Sequence, residues 1–157
     1  MEAALKTFFS SARFAVAGAS SDTSKYGHKV FVWYLTHSLP ATPLNPRAPS
    51  ITVGAKSYDT VASPSALVDA QNTSLSIITP PAVTMALLKE AKEAGVPAVW
   101  LQPGSFDAEI IEYARKEFKA AIAGMDGGTW GDEGWCVLVD GERGLKTAHR
   151  HWERANI

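Results

Sequence analysis

The residues from Gly18 to Lys29, Gly-Ala-Ser-Ser-Asp-Thr-Ser-Lys-Tyr-Gly-His-Lys, have the side chains that suit an anionic ligand. Gly18 and Gly27 let backbone come close to a bound group, Ala19 keeps the turn small, and Ser20 and Tyr26 supply hydroxyls. Lys25, His28 and Lys29 add basic groups. Where such a stretch opens a helix, first-turn N–H groups face the ligand from the positive end of the helix dipole. The spacing is neither Gly-x-Gly-x-x-Gly nor Gly-x-x-x-x-Gly-Lys-Ser/Thr, because Gly18 is followed by no glycine until Gly27. A second group, Asn45-Pro46-Arg47, puts a guanidinium where an NAD site would carry an acid for the ribose hydroxyls, and so suits a phosphorylated ribose. Thr79-Pro80-Pro81-Ala82-Val83 offers a rigid apolar shelf with few N–H donors, and Gln102-Pro103-Gly104 stands where a ligand's far end would lie. Each feature also has a plain structural reading: a strand-to-helix turn, a solvated arginine, a proline-led helix start.

Other reactive side chains are scattered. His28 beside the loop reads as a hydrogen-bonding or packing residue, and His37 as a helix-end residue. His149 and His151 alternate in a polar tail without a third metal ligand. Cys136 reads as a packed thiol. Neither a Gly-x-Ser-x-Gly elbow nor His-Glu-x-x-His occurs, and no catalytic residue is assigned. Trp33 and Trp100 are expected in the core, whereas Trp130 and Trp135 lie on a glycine-rich stretch that could cover a ligand or a partner surface.

The elements that position these groups follow from hydrophobic periodicity. Residues 1–13 read as a short amphipathic helix, 13–18 as a buried strand and 27–38 as a helix with Val30, Phe31, Tyr34 and Leu35 on its apolar face. Residues 41–45 form a second strand, 57–60 a small third one, and Ser63-Pro64 opens a short helix through 66–70. Residues 74–79 are a strand. The helix after Pro80-Pro81 lines up Val83, Leu87, Leu88 and Ala91 and ends at Gly95, with Pro97 beyond. Strand 98–102, helix 107–118 and strand 120–124 complete the alternation. Residues 125–135 suit an acidic surface loop, 136–140 a possible last strand, and 141–157 a terminal helix or a frayed tail. Strands alternating with helices predict an α/β single domain: a Rossmann-like, doubly wound parallel sheet in three α/β/α layers.

The chain has 157 residues, 15 Lys+Arg against 16 Asp+Glu, and 46% hydrophobic residues, which is one domain of globular composition. Near-neutral charge argues against nucleic acid, and no apolar run is long enough for a membrane helix. One cysteine permits no internal disulfide and fits a reducing compartment, so a cytoplasmic location is expected; a mitochondrial leader is disfavoured by the acid and the few basic residues of the first segment.

Val16-Ala17-Gly18-Ala19-Ser20, Lys25-Tyr26-Gly27-His28-Lys29-Val30, Asn45-Pro46, Pro80-Pro81 and Trp100-Leu101-Gln102-Pro103-Gly104 together resemble the small stand-alone CoA-binding domain proteins. These are similar to the nucleotide-binding amino-terminal domain of the succinyl-CoA synthetase alpha subunit. The resemblance covers roughly residues 5–124. It implies coenzyme A or an acyl-CoA at the strand ends, with Gly18, Ser20, Tyr26 and Gly27 near phosphates and Pro46-Arg47 and Pro80-Pro81 near the nucleotide. The domain is expected over 1–140, with 126–135 a glycine-rich insertion that separates Met125-Asp126 from Cys136, and 141–157 a C-terminal extension. The synthetase's phosphorylated-histidine domain is not among these residues, so its ligase activity does not carry over. A non-catalytic carrier, sensor or accessory protein is the expected role. An NADP-binding oxidoreductase and an interaction module with a vestigial site are the alternatives, and a protein partner or homodimer stays open.

Overall fold

A computed structural model describes residues 1–157. Helix α1 (Glu2–Phe9) leads into β1 (Arg13–Ala17), α2 (Tyr26–Thr36) and β2 (Ala41–Leu44). An antiparallel hairpin, β3 (Ser50–Val53) and β4 (Lys56–Asp59), follows. Then come β5 (Thr73–Ile77), α3 (Pro81–Ala94), β6 (Ala98–Leu101), α4 (Ala108–Glu117), β7 (Ala120–Ile122) and α5 (Val137–Thr147). The main sheet is entirely parallel with order β2-β1-β5-β6-β7.

Strand side chains alternate between two cores. Phe14 and Val16 of β1 and Trp100 of β6 face α1, α2 and α5, together with Phe8, Phe9, Tyr34 and Leu145. Ala15, Ala17, Leu75, Ile77, Val99 and Leu101 face α3 and α4, together with Leu88, Ala91, Ile110 and Ala114. A sheet buried on both faces explains why its strands read as continuous apolar runs. The serines of β5 are kept inside by fixed partners: Ser74 donates to the Phe8 carbonyl at 2.8 Å, and Ser76 accepts from Gln102 Nε2 at 2.9 Å.

Several expectations change. The segment 57–60 is the second arm of the hairpin, not a strand of the parallel sheet, and its partner β3 was not anticipated. The helix expected after Ser63 is two single 3₁₀ turns, Pro64–Ala66 and Ala70–Asn72, and Ser63 makes no side-chain cap. Val83, placed on the apolar face of its helix, is 49% exposed; buried Thr84 takes its place beside Leu87, Leu88 and Ala91.

The strand expected at 136–140 is the start of α5. A short β-branched run is compatible with either element, and packing decides. Val137, Gly141, Gly144 and Leu145 form one buried helical face. A Cβ at Gly141 would lie 2.7 Å from Trp33 Cη2, and one at Gly144 3.0 Å from Phe9 Cδ2, so the two glycines let this helix lie against aromatic rings. The helix runs through residue 140, where the domain and its extension were divided. The tail after it is non-helical but docked: Ala155 N–H donates to the Thr36 carbonyl at 2.9 Å, and Arg150 Nη1 donates to the Ser11 carbonyl at 2.6 Å. His37 is packed between Trp33 and Trp152, with ring centroids at 4.0 and 4.2 Å.

Candidate functional site

The chain leaves β1 in one direction across the sheet to β2 and, after the hairpin, in the other to β5, so the strand order reverses at β1. Ligands of open parallel sheets collect in the crevice beyond the carboxyl ends of the strands at such a point. A cleft of about 870 Å³ opens there, within the usual range for small-molecule sites.

Its floor is the β1–α2 turn. Gly18 has φ +94°, and a Cβ on it would lie 3.2 Å from the Ile78 carbonyl carbon at the end of β5. A Cβ at Gly27 would stand 3.0 Å from the Gly18 carbonyl carbon and nearer still to its oxygen. Only a glycine lets α2 begin this close to the strand. Polar anchors fix the loop between them. His28 Nδ1 pairs with the Ser20 carbonyl at 2.8 Å, and Asn45 Nδ2 donates to the Ala19 carbonyl at 3.0 Å. Thr52 N–H of the hairpin donates to Ser21 Oγ at 2.9 Å. The Ser24 hydroxyl and amide both donate to the Asp22 carboxylate, holding it below the usual carboxylate range.

With the loop held by these contacts, the N–H groups of Ser20, Tyr26 and Gly27 donate to nothing within the chain, and Lys25, which precedes α2, is exposed. Arg47 is exposed on the β2 side, on a turn held by the Asn45 carboxamide, whose Oδ1 accepts the Arg47 and Ala48 amides at 2.8 and 3.2 Å. No carboxylate pairs with Lys25 or Arg47. Free amides at a helix start, with Lys25 and Arg47 beside them outside any salt bridge, have the chemistry to receive a phosphate-type anion, while the Asp22 carboxylate interacts with Lys25 and Glu90 lines the same cleft. The opposite wall is apolar: Ile78, Pro80, Val83 and Leu87.

The Tyr26 hydroxyl is hydrogen-bonded to the Cys136 thiol behind the cleft wall. Burial, the Cys136 contact and the nearby Glu133 all push the phenol well above its ordinary range, so it stays protonated. Cys136 is itself buried. Asp140, fully buried, accepts from the Cys136 amide at 3.2 Å, the Trp130 amide at 2.9 Å and Thr129 Oγ1 at 2.7 Å. Arg143 pairs with Asp140 at 3.3 Å, and its guanidinium lies 4.3 Å from the Trp130 ring and 4.7 Å from the Trp135 ring. Residues 126–135 are therefore a tied loop. Neither tryptophan lines the cleft; Trp135 is buried and Trp130 is 68% exposed.

Of the residues singled out in the sequence, Gly18, Ala19, Ser20, Lys25, Tyr26, Gly27, Asn45, Pro46, Arg47, Thr79, Pro80 and Val83 line this one cleft. His28, Lys29, Pro81, Gln102, Pro103 and Gly104 do not. Gln102 is fully buried: its Nε2 donates to Ser76, and its Oε1 accepts the Val137 amide at 2.9 Å, joining α5 to the sheet. Residues not anticipated are Leu44, Ala62, Ser63, Ile78, Ala86, Leu87 as a wall residue, and Glu90. The spacing of Val83, Ala86, Leu87 and Glu90 is a helical face, so periodicity held that signal, whereas Ala62 and Ser63 arrive through a bridge of Val61 to Leu44 that nothing local announces.

The CoA binding domain family matches residues 12–129. The chain belongs to this family. The CoA binding domain has structural relatives of the same fold. A conserved hypothetical protein from Pyrococcus furiosus is 28% identical with a TM-score of 0.60, over 69% of this chain and 90% of that one. A protein from Thermus thermophilus is 25% identical with a TM-score of 0.65, over 78% and 90%. A hypothetical protein from Pyrococcus horikoshii, 18% identical with a TM-score of 0.73 over 92% of both chains, shares the fold. Comparison with curated proteins finds no match. No helix is long and apolar enough to cross a membrane.

Proposed function

We propose that this CoA binding domain holds coenzyme A or an acyl-CoA in the cleft at the reversal of strand order and serves as a non-catalytic carrier, sensor or accessory protein in the cytosol. The observation that carries the reading is the start of α2. Its free amides are held against the end of β1 by Gly27, with Lys25 and Arg47 beside them and neither in a salt bridge. These groups suit the diphosphate and the 3′-phosphate, while Pro46, Pro80 and Val83 suit the adenine face. When bound, coenzyme A would supply a thiol or thioester; the residues of the cleft supply cations, amides and apolar contact.

Thermal unfolding with CoA, acetyl-CoA, NADPH and NADH in parallel tests this. A ligand at about a hundred times its Kd stabilises by roughly 2.7 kcal/mol, which at about 2–4 °C per kcal/mol raises Tm by roughly 5–11 °C. CoA and acetyl-CoA are expected to do so. Stabilisation by NADPH without CoA would replace this reading with the oxidoreductase one, and no shift with any of the four would favour the interaction module.

A further inference from the structure

A dinucleotide in a doubly wound sheet uses both sides of the reversal point, one half above the early strands and the other above the later ones. Here the later side is filled by the chain itself. The Trp135 amide donates to the Gly124 carbonyl beyond β7 at 2.9 Å, and Trp100 Nε1 of β6 donates to the Trp135 carbonyl at 3.1 Å. The Val137 amide donates to Gln102 just past β6, and Gln102 in turn donates to Ser76 of β5. Trp135, Val137 and Gln102 are all essentially buried. Cys136 closes the gap to α2 through Tyr26, and Asp140 with Arg143 ties the segment from behind.

The segment 134–137 is thus a wedge built into the carboxyl edge. The cleft ends at Tyr26, and none of Gln102, Pro103 and Gly104 reaches it. What remains runs from the phosphate loop across Arg47 and out along Val83, Ala86 and Glu90, the exposed face of α3.

Resting on the CoA reading above, we propose that the site grips coenzyme A by its nucleotide end and leaves the thiol end in solvent, so that CoA and its thioesters bind alike whatever the acyl group. The wedge removes the second half of the crevice, where a nicotinamide or an acyl group would otherwise be enclosed. The selectivity of the site therefore lies in the phosphorylated adenosine, and the cargo is presented to whatever reacts with it.

Calorimetry with the intact protein tests the proposal, using CoA, acetyl-CoA, octanoyl-CoA and a thioether of CoA carrying a bulky fluorescein on sulfur. All four are expected to bind within about threefold of one another. Adenosine 3′,5′-bisphosphate is expected to displace the fluorescent adduct completely. A change of about tenfold or more with the acyl chain or the adduct would overturn the open-ended site while leaving CoA binding intact. Absence of binding by CoA itself would overturn the reading beneath it. The two failures are distinguishable.

Discussion

Replacing Gly27 by alanine opposes local preference to tertiary packing. Gly27 lies in the first turn of α2, and by helix propensity alone alanine should stabilise an interior helical position by about 1 kcal/mol. The added methyl, however, meets the Gly18 carbonyl, with the carbonyl carbon only 3.0 Å away. That group cannot rotate aside as a side chain would. The Gly18 amide is bonded to the Leu44 carbonyl at 3.2 Å, and the Ile78 amide to the preceding Ala17 carbonyl at 2.9 Å. Overpacking costs about 1–3 kcal/mol, and a fixed backbone neighbour puts this site at the upper end. Subtracting the propensity gain leaves a net loss of about 2 kcal/mol. For a chain of this length that corresponds to a fall in Tm of about 4–8 °C. Urea and thermal unfolding measure it directly. Gly128→Ala, at φ +86° with nothing within 4 Å of the new methyl, separates backbone strain from collision and should lose only about 1–2 kcal/mol. Because α2 must back away from β1, Gly27→Ala should also weaken CoA. A variant as stable as the parent would refute the close approach and, with it, the fixed phosphate cradle.

On the proposed assignment of Arg47 to the 3′-phosphate, Arg47→Ala would remove a charge-assisted contact worth about 1.5–3 kcal/mol, so CoA should weaken roughly 10- to 100-fold while dephospho-CoA changes little; equal losses for the two ligands, by calorimetry, would reject the assignment. Asp140→Ala leaves Arg143 unpaired and three donors without their acceptor, and should cost about 3–5 kcal/mol in urea unfolding. Trp135, buried against the Arg143 guanidinium, should become more accessible to acrylamide at the same time, and unchanged stability would rule out the anchoring role. At alkaline pH, Tyr26 and Tyr34 are both pushed above the ordinary phenol range, chiefly by burial. Each contributes stability that is full below about pH 10 and is lost as pH rises, because the unfolded chain releases the proton first. The Tyr26→Phe/Tyr34→Phe variant should therefore lose stability less steeply above about pH 10 than the parent, and identical slopes would contradict the burial argument.

The parallel α/β architecture was legible along the chain because its signals are local. Pro81 at the start and Gly95 at the left-handed end bound α3, and Asp107 caps α4 by accepting the Ile110 amide at 2.9 Å. Alternating apolar segments then require a covered parallel sheet. The loop that lines the cleft was legible for the same reason: a glycine-ended strand followed by hydroxyl and basic residues at a helix start is one continuous stretch. What sequence order could not supply was which strands are neighbours. The order β2-β1-β5-β6-β7 brings the Gly18, Asn45 and Thr79 ends to one cleft and leaves Gln102, at the end of β6, outside it. Gln102 was read by its place at a strand end, but its carboxamide is taken by Ser76 and Val137, partners 26 and 35 residues away. Residues 136–140 carry a run that serves as strand or helix, and only the room that Gly141 and Gly144 leave beside Trp33 and Phe9 settles it as helix. Local chemistry thus determined most of the elements and the glycine-bounded loop between β1 and α2. The extent of the cleft was decided by contacts between segments far apart in the chain, because strand pairing and the burial of α5 are made between surfaces that exist only once the sheet has formed.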